Sequence, residues 1–243
     1  MKRSGINFSI LIVQLAVFAL TAAHASPALI TSAFKKTFPN AEVMSVLPVA
    51  NTDLWEVFNG TDLAYTDSKA TVFFPGPMID LATKANLTQQ RLDKLLVVDF
   101  KALPREQSLE IKRGNGSRKL AIFADPRCGF CKKLDADLVA LDNVTIHVYP
   151  LPILGPESSE KSRDIWCSSA PVAVWFSYTL KNTMPAKADA KCDASVLDKN
   201  VALAKQFGIR GTPAIIFEDG SRAAGALPLA AIEQRMTVAA ASP

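Results

Sequence analysis

The chain has 243 residues, 49% hydrophobic and 21% charged, with a formal net charge of +4. That length holds one large or two modest domains. The charge balance, with no basic cluster carrying interleaved aromatics, excludes a nucleic-acid-binding surface.

Lys2 and Arg3 precede an apolar run over 10–20 that ends in Ala23-His24-Ala25, the pattern of a secretory signal peptide cleaved after Ala25. The run is too short to span a membrane, and no later stretch approaches the roughly 18 apolar residues a span needs. Losing Lys2 and Arg3 lowers the net charge from +4 to +2. Export implies an oxidising compartment, where the four cysteines are expected to form disulfides.

Leu29, Ile30, Ala33, Phe34 and Phe38 repeat at helical spacing until Pro39-Asn40 stops them, which predicts a helix over 27–38. Short strands are predicted at 42–46, 54–58, 63–66, 70–74 and 78–81, separated by turn residues such as Asn59-Gly60 and Pro75-Gly76-Pro77. This is a small α+β module. Its antiparallel sheet leaves edges in need of cover, so self-association is expected. Asn86-Leu87-Thr88-Gln89 then opens a helix in capping-box style, with an apolar stripe running through Val98. The stretch 99–108, with Pro104 inside it, lacks a sustained period and reads as a linker.

Gly114-Asn115-Gly116 between apolar runs at 109–112 and 119–124 predicts a hairpin. The second run ends at Asp125-Pro126, where proline removes a ladder donor, and leads into Cys128-Gly129-Phe130-Cys131. Cys131, Leu134, Leu138 and Leu141 continue at helical spacing. Two cysteines three apart at a helix start make a redox dithiol. Unpaired N–H groups and the positive end of the helix dipole favour a thiolate on the first, which marks Cys128 as the nucleophile. The rival reading, half of a zinc site, needs two more ligands. Cys167 and Cys192 lack knuckle spacing, and His24 falls in the signal, so redox chemistry is preferred and no metal is expected.

An alternating strand at 144–149 follows, giving strand, helix, strand and therefore a parallel pair with a crossover. His147 lies in that strand and reads as structural or solvent-facing. Residues 157–206 form a helical insertion, with Ser158 or Ser159 placed to cap a helix through Trp166, an apolar helix at 172–180, and another at 196–207 closed by Gly208. Four cysteines allow three pairings. Proximity favours Cys128 with Cys131, leaving Cys167 and Cys192 to close a longer loop, a staple of roughly 3 kcal/mol. Gly211-Thr212-Pro213 heads a further strand at 214–217, Asp219-Gly220 turns the chain to a short strand around Ala223, and 229–236 is a closing helix.

The order and spacing of these motifs resemble the DsbC/DsbG family of periplasmic thiol:disulfide interchange proteins over essentially the whole chain after the signal. The Gly-Phe insert is closer to the Gly-Tyr of DsbC than to the Pro-Tyr of DsbG. The resemblance implies an α+β, cystatin-like N-terminal dimerisation domain at 26–85, a linker helix and linker at 86–105, and an α/β thioredoxin-like catalytic domain with a helical insertion at 106–243. It implies Cys128 as nucleophile, Cys131 as resolving thiol, Pro213 as cis-proline, and Thr212, Pro213, Gly129 and Phe130 beside the substrate. It also implies a structural Cys167–Cys192 disulfide. By that resemblance the protein is a periplasmic homodimer that rearranges wrong disulfides in misfolded or mis-oxidised exported proteins. It would need no cofactor, would be kept reduced by a membrane thiol reductase of the DsbD type, and would hold unfolded chains in an uncharged cleft. Two other functions fit the same motifs: a chaperone module with a secondary redox role, and a monomeric thiol oxidase resembling DsbA.

Overall fold

The computed structural model describes residues 26–241, so the signal-peptide reading of 1–25 lies outside the described residues. Helix α1 (Pro27–Thr37) starts at Ser26, whose hydroxyl accepts a hydrogen bond from the Leu29 N–H and satisfies one of the free donors of the first turn. Its Ile30 is fully buried against Val46 and Val57 of an antiparallel sheet ordered β1 (Ser45–Pro48), β2 (Leu54–Phe58), β3 (Leu63–Asp67), β4 (Phe73–Phe74). Two of the expected strands give way to turns. The one at 70–74 shrinks to β4, because Ala70 takes a positive φ of 54° and Asp67 Oδ1 captures the Thr71 and Val72 N–H groups. The one at 78–81 is replaced by a single bridge between Ile79 and Asn86, since Asp80 turns the chain by accepting from the Ala82 and Thr83 N–H groups.

Helix α2 (Leu87–Leu95) begins as expected, with Asn86 Oδ1 accepting from the Gln89 N–H. The box is only half formed, because the Gln89 side chain bonds forward to Asp93. The helix stops three residues short of Val98, whose N–H donates to the Gly220 carbonyl. The expected linker is not free: short 3-10 turns at Phe100–Ala102 and Arg105–Gln107 bury Phe100 and Leu103 against Phe123, Tyr149 and Ile216. Side chains at three-residue spacing suit a 3-10 turn, which is why the stretch shows no helical period.

The second sheet is ordered β5-β7-β6-β8-β9, from β5 (Leu109–Arg113), β6 (Arg118–Ala124), β7 (Val144–Pro150), β8 (Ala214–Phe217) and β9 (Arg222–Ala224). The expected hairpin between β5 and β6 does not form, because β7 lies between them, antiparallel to β5 and parallel to β6. Asn143 forces this arrangement. Its side-chain oxygen accepts from the Asn115 N–H and its carbonyl from the Arg118 N–H, while Thr145 donates to the Gly116 carbonyl, so the glycine turn is stitched to the start of β7. Alternation along β6 feeds two cores. Leu120 and Ile122 face α3 (Gly129–Leu138), α5 (Pro171–Lys181) and α7 (Leu229–Ala241), whereas Ala121 and Phe123 face α6 (Ser195–Gln206) and the 98–103 segment. The closing helix α7 runs five residues beyond the 229–236 pattern.

Helix α4 (Pro156–Trp166) begins at Gly155, whose φ of 102° needs glycine, and neither Ser158 nor Ser159 caps it. The Cys167–Cys192 disulfide ties the end of α4 to the segment before α6, with Cα atoms 6.1 Å apart. The two sheets meet where Arg210 bonds Asp62 at 2.6 Å and the Thr61 hydroxyl. Gly208, with φ +63°, permits this approach: a Cβ there would lie 2.5 Å from Thr61 Cγ2. No helix among the described residues is long and apolar enough to cross a membrane.

Candidate active site

Cys128 is the N-cap of α3, placed by a turn in which its N–H donates to the Asp125 carbonyl. Its Sγ lies 3.3 Å from the Thr212 carbonyl oxygen, to which the thiol donates across a separation of 84 residues. The Thr212–Pro213 peptide is cis. The structure thus brings together Cys128, Cys131, Thr212 and Pro213. Both thiols are free, with Cys128 at 7% exposure and Cys131 at 1%. Burial pushes the Cys131 thiol well up from its ordinary range, and the neighbouring Cys128 sulfur adds to the rise. Cys131 therefore holds its proton, while Cys128 lines the groove beside it.

Phe130 projects from the helix start at 68% exposure, and Gly129 faces open space. A groove of about 910 Å³ opens beside Cys128, walled by Phe130, Ile153, Leu154, Val201 and Ile209. Cys167 and Cys192 are joined to each other and take no part in the site. His147 is buried at 2% exposure, with Nδ1 3.2 Å from the Ser108 hydroxyl, a structural placement.

Two buried carboxylates lie in this region that the sequence pattern does not single out. In the sequence Asp125 reads only as a strand terminator; a carboxylate closing an apolar run, just before the dithiol turn, is the available signal. Asp135, four residues after Cys131 on α3, accepts from Trp175 Nε1 at 2.8 Å and is 3% exposed. Burial raises its carboxyl to about 6, outweighing the Trp175 hydrogen bond and the charge of Arg113. Helical spacing places Asp135 on the Cys131 face, but nothing in the sequence pairs it with Trp175.

A parallel βαβ unit with a dithiol at the helix start, facing a proline loop from a neighbouring strand, defines the thioredoxin-like class of thiol–disulfide proteins. Residues 105–240 match the family model described as a thioredoxin-like domain, and residues 21–89 match the disulfide bond isomerase protein N-terminal domain. The chain belongs to the DsbC family. It is 39% identical to the probable thiol:disulfide interchange protein DsbC of Bordetella avium, over 84% of this chain and 72% of that protein. It is 45% identical to the protein of the same description from Bordetella pertussis, over 75% of this chain and 64% of that relative's length. Among solved structures, the disulfide interchange protein of Neisseria gonorrhoeae superposes with a TM-score of 0.54 at 28% identity, covering 58% of this chain and all of that one.

Proposed function

We propose that this protein is a thiol:disulfide isomerase and reductase of exported proteins. The observation that carries the reading is the pairing of Cys128, which lines the groove at a helix N-terminus, with a more deeply buried Cys131 that keeps its proton. The Cys128 thiolate attacks one sulfur of a wrong substrate disulfide, forming a mixed disulfide and releasing the other sulfur as a thiolate that takes up a proton. A second substrate thiolate then attacks the substrate sulfur of that bond, restoring Cys128 and leaving a new pairing with no net change in redox state. Alternatively, Cys131 loses its proton and attacks the Cys128 sulfur, which releases the substrate as a dithiol and leaves the Cys128–Cys131 disulfide. Two electrons must then come from outside, and a membrane thiol reductase of the DsbD type is the donor this reading implies. Thr212, Pro213, Gly129 and Phe130 border the reacting sulfur on the substrate side.

The apolar groove supports a second, chaperone role, because exposed Phe130 and Leu154 offer a surface to unfolded chains. The family match of the N-terminal module supports a homodimer. So does the exposed β4 edge, where Phe73 packs with Phe34 and Phe38. Lys2, Arg3 and the apolar run that follows support export to the periplasm.

The reaction is tested with Cys131→Ser. Incubated with a scrambled multi-disulfide protein, this variant is expected to accumulate a covalent adduct through Cys128, seen on a non-reducing gel and lost on reduction; absence of the adduct sinks the isomerase reading. Light scattering on the mature protein at micromolar concentration is expected to return twice the chain mass, and a monomer would refute the dimer.

A further inference from the structure

Asp125 is fully buried, and its carboxylate accepts four hydrogen bonds. Oδ1 takes the Arg127 N–H at 2.8 Å and the Ser158 hydroxyl at 2.7 Å, and Oδ2 takes the N–H groups of Ile153 at 3.0 Å and Leu154 at 3.1 Å. A charge removed from water is tolerated only when its lone pairs are met this fully. The four donors come from three separate segments. Arg127 is the residue before Cys128, Ile153 and Leu154 form a wall of the groove, and Ser158 lies in the first turn of α4. The main chain of the same residue also reaches the dithiol, since its carbonyl accepts from the Cys128 N–H.

We infer that Asp125 is a positioning residue of the dithiol site, its carboxylate fixing the Cys128 turn and the Ile153–Leu154 wall in one geometry so that a substrate segment in the groove meets the sulfur in line. The inference rests on the reading of Cys128 as the nucleophile. Asparagine in its place shows why charge is required. The amide offers one acceptor oxygen where four donors converge; if that oxygen keeps Ile153 and Leu154, the NH₂ group confronts the Arg127 N–H, which cannot reverse its role as the Ser158 hydroxyl can. Either the turn or the wall loses its anchor.

The test compares Asp125→Asn with wild type in two exchange reactions followed by release of 2-nitro-5-thiobenzoate. One substrate is a short peptide with apolar residues beside a cysteine carried as its disulfide with that thiol; the other is the symmetrical small disulfide, which reaches the sulfur without lying along the wall. In each, the Cys128 thiolate forms a disulfide with one substrate sulfur and the coloured thiolate leaves. Loss of a charge-assisted anchor is expected to raise the ratio of the small-disulfide rate to the subsaturating peptide rate about tenfold, a ratio that removes any loosening of the Cys128 turn slowing both reactions alike. A folded Asp125→Asn protein with an unchanged ratio overturns the inference, because a merely structural carboxylate would lower the melting temperature and leave that ratio alone. If Asp125→Asn does not fold, the same ratio on Ser158→Ala decides, with a rise of about threefold expected and none overturning the inference. A wild-type protein that releases no thiolate from either substrate refutes the nucleophile reading itself, an outcome separate from any result on the variants.

Discussion

Cys128→Ser is expected to return the refolding of a scrambled multi-disulfide protein to its uncatalysed rate, a loss of at least about a thousandfold. The hydroxyl is nearly isosteric with the thiol it replaces, and the side chain is an N-cap at the edge of the groove, so the fold should stand. Serine also remains a good N-cap, so α3 keeps its start. What disappears is a group that can become an anion under the field of the helix N-terminus and the polarisable sulfur needed to accept and pass on a disulfide. The variant differs sharply from Cys131→Ser, which keeps the attack and loses the internal release. It also separates catalysis from holding: Cys128→Ser should still suppress aggregation of an unfolded protein by light scattering if the groove walled by Phe130 and Leu154 binds chains. Undiminished refolding with Cys128→Ser would overturn the dithiol mechanism.

How much of this is legible in the sequence depends on whether the signal is local. The N-cap of α2 at Asn86, the run of β6 into the dithiol and the end of α6 at Gly208 follow from short-range chemistry, and the structure has all three. The hairpin expected around Gly114-Asn115-Gly116 fails because a turn signal says the chain reverses, not what enters the gap; the deciding groups, Asn143 and Thr145, lie 28 and 29 residues beyond the turn residues they hold. The linker at 99–108 fails for a related reason, since burial of Phe100 and Leu103 is set by the sheet they meet. At the site, Cys128 and Cys131 carry their own spacing, and Thr212-Pro213 is recognisable by its place before a strand. Apart from the Arg127 N–H, Asp125 and Asp135 act through partners 28 to 40 residues away, and only the fold brings those together.

Asp135 should make the stability of the fold depend on pH in a direction opposite to that of most carboxylates. Its ordinary value near 4 applies in the unfolded chain, whereas in the folded protein burial lifts it to about 6. The folded state therefore binds the proton more tightly. The stabilisation this gives is fully present below about pH 4 and is lost as pH rises through 6, where the fold must carry a carboxylate in an apolar layer between α3 and α5. A carboxyl that keeps its proton from about pH 4 up to about pH 6 in the fold corresponds to about 3 kcal/mol at the upper limit. The charged groups bearing on it include Arg113, whose guanidinium is committed to the Leu138 and Val139 carbonyls at the end of α3 and so relieves the charge only in part. Asp135→Asn removes the charge and keeps an oxygen for Trp175 Nε1, so it should be nearly neutral at about pH 4 and stabilising by up to about 3 kcal/mol above about pH 7. Urea unfolding of both proteins from about pH 4 to about pH 8 measures the difference, in which the contributions of all other groups cancel. A difference that stays flat across that range would show that Asp135 does not titrate near 6.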